Sequence, residues 1–322
     1  MNKRPPFQIT DAILRYVTDI SEMLGELSSV KYVEPELSLR KSSQAVTIQG
    51  SLAIEGNTLT LDQVNMLLSG KPVIGPERDI LEVKNAAVVY DQLHAWKYHS
   101  ILSFKQAHAN LMKGLVKDSG RWREKNVAVY SGKDVKHMAP PTSRVPVLMK
   151  NLFAFLKSDK ATLDLIKACV FHYELEFIHP FSDGNGRMGR LWQQVILVNY
   201  HPVFAYLPIE NLMHQYQDAY YDVLATCDHA GESTAFVELM LEWIAEALHS
   251  YCKTIMFQPN TAELRLTFAK EAFEQQLFSR KEYLQLMKTI SAPTASRDLA
   301  SAVKHGILHK QGDKALTRYR FK

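Results

Sequence analysis

Apolar residues recur at three- and four-residue steps along most of this chain, the spacing that puts them on one face of an α-helix. Between positions 161 and 178, Leu163, Ile166, Cys169, Val170, Tyr173 and Phe177 share such a face. The same periodicity predicts helices over 11–27, 42–55, 61–69, 77–96, 103–115, 145–158, 187–199, 211–226 and 233–256. Strand-like alternation is rare. Val127, Ala128, Val129 and Tyr130, followed by Ser131-Gly132-Lys133-Asp134, read as a strand and a turn into a short return strand. The Pro140-Pro141 pair then holds the backbone extended. Phe257-Gln258-Pro259-Asn260 interrupts the helical pattern and reads as a linker. Beyond it, helical stretches over 264–276, 280–289 and 293–305 precede Ile307-Leu308-His309, a Gln311-Gly312-Asp313 turn and a last strand ending at Phe321. Three helices and a hairpin in that order make a winged helix-turn-helix pattern. The sequence therefore predicts a mainly α protein with two short hairpins.

Composition narrows the class. With 322 residues the chain is long enough for more than one domain, and no run of 18 apolar residues offers a membrane span. The stretch from Met1 to Asp11 is polar and proline-bearing, without the apolar core of a signal peptide, so a cytoplasmic protein with no membrane partner is expected. Cys169, Cys227 and Cys252 are odd in number, widely spaced and set in apolar segments, which predicts buried thiols rather than a disulfide framework or a CxxC metal site. The net charge of +4 is unevenly placed: the residues from Thr261 to Lys322 carry 12 Lys/Arg against 6 Asp/Glu. A basic excess confined to one end points to an anionic partner there.

Candidate chemistry concentrates in His179-Pro180-Phe181-Ser182-Asp183-Gly184-Asn185-Gly186-Arg187-Met188-Gly189-Arg190. Pro180 ends one helix, and Gly184-Asn185-Gly186 allows a tight turn, so the next helix is expected to start near Arg187. A glycine-bounded loop opening a helix leaves successive N–H groups unpaired and aimed one way, an anion nest reinforced by the helix dipole. Arg187 and Arg190, three residues apart in the first turn, oppose that dipole unless an anion lies between them, and phosphate is the anion they suit. Asp183 would repel bare phosphate yet is a hard ligand for the Mg²⁺ of a triphosphate. His179 is an imidazole, the side chain suited to act as a general base near neutral pH. Gly184 to Gly189 also fits GxGxxG, but a long amphipathic helix precedes it where a dinucleotide fold needs a strand. His172, Glu174, Glu176 and His179 lack HExxH spacing for zinc.

The segment from His179 to Arg190 resembles the HPFx(D/E)GNGRxxR signature of the Fic family at every fixed position, and the likeness extends over roughly residues 1 to 256. The resemblance implies a Fic helical core over 93–256, preceded by a helical region over 1–92, to which the sequence pattern adds a 257–260 linker and a winged helix-turn-helix domain over 261–322. It also implies AMP transfer from Mg-ATP to a Ser, Thr or Tyr hydroxyl of a protein, with pyrophosphate release. Under it His179 is the base and Asp183 holds Mg²⁺. Asn185 with the Gly184 and Gly186 amides meets the α-phosphate, Arg187 and Arg190 bind the β- and γ-phosphates, and Phe181 packs the loop on the core. A relative that transfers phosphate carries lysine where Gly186 stands, so glycine favours nucleotidyl transfer.

Ser51-Leu52-Ala53-Ile54-Glu55-Gly56-Asn57 is similar to the family's inhibitory motif, which implies a brake helix over about 42–56 whose Glu55 pairs with Arg190. Ser51, Gly56 and Asn57 complete that motif. The strand from Val127 to Tyr130 resembles the flap that docks the target's backbone, and Asn211, Tyr220, Tyr221 and Leu224 fall where relatives build an adenine pocket. Removal of AMP, transfer of another nucleotide, and a nucleotide-sensing transcription regulator remain alternatives. For the C-terminal domain two readings stand open. In one, Thr294, Ser296, Arg297 and Lys304 on a recognition helix and Lys310, Lys314, Arg318 and Arg320 on a wing contact DNA. In the other, the domain docks a protein or forms a homo-oligomer.

Overall fold

The computed structural model of the chain describes residues 4–29, 37–131, 134–256, 261–287, 290–312 and 317–322. The predicted 257–260 linker, the Gly132-Lys133 turn and Lys314 lie outside these residues. The chain divides into two compact units, Met1–His249 and Ser250–Lys322, with the boundary inside the helix Thr234–Met256.

The first unit is built of α1 (Asp11–Ser29), α2 (Leu37–Ala53), α3 (Leu61–Leu68), α4 (Glu77–Tyr90) and α5 (Ile101–Leu111), then the strands β1 (Ala128–Ser131) and β2 (Asp134–Met138). It continues through α6 (Val145–Ser158), α7 (Asp164–Ile178), α8 (Asn185–Tyr200), α9 (Ile209–Gln215), α10 (Gln217–Ala230) and α11 (Thr234–Met256). α7 and α8 pack along their lengths at its centre, and nearly every residue of both is buried. The loop joining them is nailed down by Phe181, whose ring is fully buried 5.5 Å from Phe104 and 5.0 Å from Trp122. Truncating such a ring costs on the order of 3–5 kcal/mol. α2 crosses the start of α9 at Gly50, where a Cβ would stand 3.0 Å from the Asn211 backbone nitrogen, so only glycine allows the approach.

Several boundaries differ from the periodicity reading. The predicted 161–178 helix begins at Asp164, because Asp159 captures the N–H groups of Ala161 and Thr162 and holds that stretch as a turn. Leu163, expected on the buried face, is consequently exposed. The predicted 77–96 helix ends at Tyr90, and the Trp96 indole folds back to donate to the Val89 carbonyl at 3.0 Å. The predicted 211–226 helix is two helices, α9 and α10, broken at Tyr216 (φ −111, ψ 42), whose ring stacks on Trp243. α2 starts at Leu37 and stops at Ala53, so Glu55 lies in the turn after the helix, just before Gly56 at φ +87. Cys169, Cys227 and Cys252 are all buried free thiols, as expected.

The second unit holds α12 (Ala262–Phe273), α13 (Arg280–Met287) and α14 (Ala292–Lys304), followed by the antiparallel strands β3 (Leu308–Gln311) and β4 (Arg318–Phe321). Leu266, Phe278, Tyr283, Leu299, Leu308 and Phe321 anchor its own core. A buried Arg265–Asp298 pair at 2.6 Å ties α12 to α14. Among the described residues no helix is long and apolar enough to cross a membrane.

Candidate functional site

The site forms where α7 ends and α8 begins. His179 closes α7 in the left-handed region (φ 49, ψ 59), a conformation that costs a non-glycine residue energy and must be held by its surroundings. The holder is Arg123. Its buried guanidinium donates to the carbonyls of His179 (2.7 Å), Pro140 (2.5 Å), Lys125 (2.9 Å) and Ile178 (3.4 Å), while its backbone N–H donates to the Pro180 carbonyl. One side chain thus fixes the turn at His179 and both ends of the β1–β2 hairpin. The His179 ring places Nδ1 3.4 Å from the Glu176 carbonyl.

Gly184 caps α8 at φ +85, where a Cβ would also strike the Met112 thioether at 2.6 Å. α8 starts at Asn185, two residues earlier than expected, so the loop feeds straight into a helix N-terminus. The N–H groups of Asn185, Gly186 and Arg187 have no carbonyl four residues back in the helix. The Asn185 side chain is spent locally: Oδ1 accepts from the Phe181 N–H at 2.9 Å and Nδ2 donates to the Phe181 carbonyl at 3.0 Å.

Both arginines of α8 are buried and paired with carboxylates. Arg187 Nη2 donates to Asp183 Oδ1 at 2.8 Å and its Nη1 to Glu82 Oε1 at 3.1 Å. Asp183 keeps 38% of its side chain exposed and also lies 3.5 Å from Arg78. Arg190, 1% exposed, donates to Glu55 Oε1 at 2.7 Å, to Ser51 Oγ at 3.0 Å and to the Ser51 carbonyl at 2.9 Å. Burial disfavours its charge most strongly of the single effects, but Glu55, with Tyr220 and Glu176 adding to it, outweighs that and holds the pKa above the usual arginine value. Gly186 makes room for the pair, since a Cβ there would stand 2.5 Å from Glu55 Oε1. Asn57 completes the contact differently: its Nδ2 donates to Glu82 Oε2 at 2.9 Å, so the same short motif touches the partner of Arg187 as well.

Of the four residues expected around adenine, Tyr220 is buried with its hydroxyl 3.1 Å from His172 Nε2, and Tyr221 is half exposed beside it, with ring centroids 5.3 Å apart. Burial, then the nearby Glu55 carboxylate, raises the Tyr221 pKa. Leu224 lies on α10 with them, and Asn211 sits on α9 against Gly50 of α2. In the flap, Val127 precedes β1, and Ala128, Val129 and Tyr130 pair with β2 across a register shift between Val129 and Tyr130. In the second unit Thr294, Ser296, Arg297 and Lys304 lie on α14, Lys310 on β3, and Arg318 and Arg320 on β4.

Sequence reasoning missed Arg123, Glu82 and His108. His108 is fully buried, stacked on Phe181 with centroids 3.5 Å apart. It accepts from the Gly120 N–H at Nδ1 and donates from Nε2 to the Asp183 carbonyl. Desolvation by burial pushes its pKa down to about 4, so it is neutral at pH 7. The available signal at His108 was an ionisable residue on the helical face that carries Phe104, Leu111 and Met112.

A helical core with a glycine-bounded helix N-terminus, two buried arginines and a histidine closing the preceding helix is the arrangement of the Fic/DOC family, whose model matches residues 99–197. The chain belongs to the Fic family. It is 37% identical to a Fic family protein of Desulfovibrio desulfuricans, whose crystal structure superposes with a TM-score of 0.75 over 99% of this chain and 98% of that one. It is 27% identical over 241 residues to the protein adenylyltransferase Fic of Aedes aegypti, covering 70% of this chain and 45% of that protein. Against a probable protein adenylyltransferase of Aquifex aeolicus it is 33% identical over 139 residues, covering 43% of this chain and 38% of that protein. The chain therefore spans less than half the length of these two relatives.

Proposed function

We propose that the protein is an autoinhibited adenylyltransferase that transfers AMP from Mg-ATP to a hydroxyl side chain of a protein, with His179 as general base. The observation that carries this reading is the start of α8: a left-handed Gly184, first-turn N–H groups with no helical partner and two buried arginines, on the loop that follows His179. The residues present fit the triphosphate. Arg187 and Arg190 are cations at a helix N-terminus that already need carboxylates to neutralise them, and phosphates satisfy the same need. Asp183, a partly exposed carboxylate, is the residue that would hold Mg²⁺, which would neutralise charge on the leaving pyrophosphate.

The target hydroxyl oxygen attacks the α-phosphorus, forming the new P–O bond as the bond to the bridging oxygen breaks and pyrophosphate departs. With its Nδ1 proton towards the Glu176 carbonyl, His179 takes the hydroxyl proton on Nε2. The α8 amides receive the charge that grows on the phosphoryl oxygens. Asn185 contributes its N–H here, its side chain being committed to Phe181. β1 offers a strand edge on which a target segment adds by main-chain pairing, while Arg123 keeps that edge in register with His179. Tyr221, Tyr220, Leu224 and Asn211 line the side on which the base would lie. In the present conformation Glu55 occupies the guanidinium that a γ-phosphate needs, so the enzyme is braked.

Incubation with ATP labelled in the α-phosphate tests the reading. Covalent label on this chain or a target is expected, lost in His179→Ala with ATP binding intact; transfer retained by that variant would sink His179 as base. Label from another nucleotide but not ATP, or only removal of AMP from a premodified protein, would redirect the chemistry within the same site.

A second reading concerns the separate C-terminal unit. Its three helices and antiparallel strand pair, with Arg297, Lys304, Arg318 and Arg320 all exposed, support a winged helix that lays α14 in the major groove of DNA and β4 along phosphate. Docking to a protein or to a second copy is the competing outcome of the same binding assay.

A further inference from the structure

Behind the brake lies a cavity of about 290 Å³, separate from the α7–α8 loop. One wall is the face of α2 that carries Arg40, Gln44 and Thr47. Stepping one more turn along that face reaches Ser51, which accepts two hydrogen bonds from Arg190. The facing wall includes Gln194, one turn beyond Arg190 on α8, and Tyr90, whose hydroxyl lies beside Ser51 and Glu210. The cavity is thus walled by the helix that brakes the site and by the helix that is braked.

Its lining is polar in a graded way. At the mouth stand Arg40, Lys41 and His94, while the single acid there, Asp91, is engaged by Gln44 Nε2 at 2.7 Å. Deeper in, Thr47 and Gln194 are each 2% exposed. The Gln194 amide is oriented by its Nε2, which donates to the Phe204 carbonyl at 3.2 Å, and its Oε1 is buried with no hydrogen-bond partner. A buried acceptor left unpaired costs free energy and calls for an O–H or N–H from something in the cavity.

We propose that this cavity is a second binding site, for a small sugar phosphate, and that its occupancy holds α2 on Arg190. The phosphoryl end suits the cationic mouth, because three acceptor oxygens and up to two charges can meet several donors at once. The sugar hydroxyls suit the inner end, where they donate to Gln194 Oε1 and exchange bonds with Thr47 and Tyr90. The volume lies at the lower limit of small-molecule pockets, roughly 300 Å³, and fits a pentose phosphate better than a whole nucleotide. A ligand that bridges α2 and α8 binds the docked brake and not the released one, so it must favour the docked state. At ten times its dissociation constant that bias is about elevenfold.

The regulatory half of this proposal rests on reading Glu55 as the brake of an AMP-transferring site; the binding half does not. Ribose 5-phosphate and inorganic phosphate, each titrated in the millimolar range into the full chain, test both halves by thermal shift and calorimetry alongside AMP transfer. Ribose 5-phosphate is expected to raise the melting temperature by several degrees and to lower transfer several-fold. The double variant K41E/H94E, altered only at exposed positions, should lose both effects. E55G should keep the thermal shift while its transfer becomes insensitive to the ligand. If no variant transfers AMP, the enzymatic reading fails while the thermal shift still decides the site. No shift with ribose 5-phosphate, an equal shift in K41E/H94E, or equal affinity for inorganic phosphate would each overturn the sugar-phosphate site. A bound ligand that leaves wild-type transfer unchanged would overturn its hold on α2.

Discussion

Replacing Glu55 by glycine is the most direct perturbation of this structure, because it separates the stability of the Arg190 contact from its effect on activity. Glu55 gives Arg190 a charge-assisted bond of 2.7 Å between a guanidinium that is 1% exposed and a carboxylate that is 28% exposed. Bonds of that kind contribute about 1.5–3 kcal/mol net, and the partial exposure of Glu55 argues for the lower part of that range. Under the proposed function a γ-phosphate must displace this contact before Arg190 can hold it. With about 1.4 kcal/mol per decade, removing the carboxylate should raise AMP transfer at subsaturating Mg-ATP roughly 10- to 50-fold. Arg190 keeps its two bonds to Ser51, so the variant should fold and lose only a few degrees of melting temperature. The measurement is incorporation of α-labelled AMP against time, beside ATP affinity by calorimetry; E55Q, which keeps a hydrogen-bond acceptor without the charge, should fall between. Equal transfer by wild type and E55G, with ATP affinity unchanged, would refute the brake.

Three further outcomes follow from the same contacts. Arg123→Met removes the donor to the carbonyls of Lys125, Pro140, Ile178 and His179 and should cut turnover at least about 100-fold while leaving ATP affinity near wild type, with Arg123→Lys recovering part of it; an unchanged kcat would show that the His179 turn holds without the guanidinium. His108 has its folded pKa depressed to about 4, so its neutral form contributes stability that is complete above about pH 6.5 and lost as pH falls towards 4. The stability gap between wild type and His108→Gln should therefore narrow over that interval in urea titrations at fixed pH, and a gap independent of pH would contradict it. For the C-terminal unit, Arg297→Glu with Arg318→Glu should weaken duplex DNA binding in fluorescence anisotropy and flatten its salt dependence by about two phosphate contacts; unchanged binding would leave the basic excess without a role on DNA.

Much of the local chemistry was legible from residue order. The segment His179 to Arg190 contains its own physics: a proline stop, glycines that permit left-handed backbone, and arginines in the first turn of the next helix. The helices were legible as well, because burying one apolar face imposes a period that survives in the sequence. Their ends were less so. Asp159, Trp96 and Tyr216 moved boundaries through a few hydrogen bonds or a ring contact that periodicity does not encode.

What only the tertiary structure decided is which charges meet. Ser51 and Arg190 are 139 positions apart, Glu82 and Arg187 105, and Arg123 and His179 56, and no local pattern specifies such pairings. The first two depend on packing two helices closely enough to exclude water, as where Gly50 lets α2 touch α9 and Gly186 admits Glu55. The sequence by itself determined a phosphate-ready loop beside a histidine. Folding determined that the loop's arginines are already occupied, because a buried guanidinium without an anion is too costly to leave unpaired.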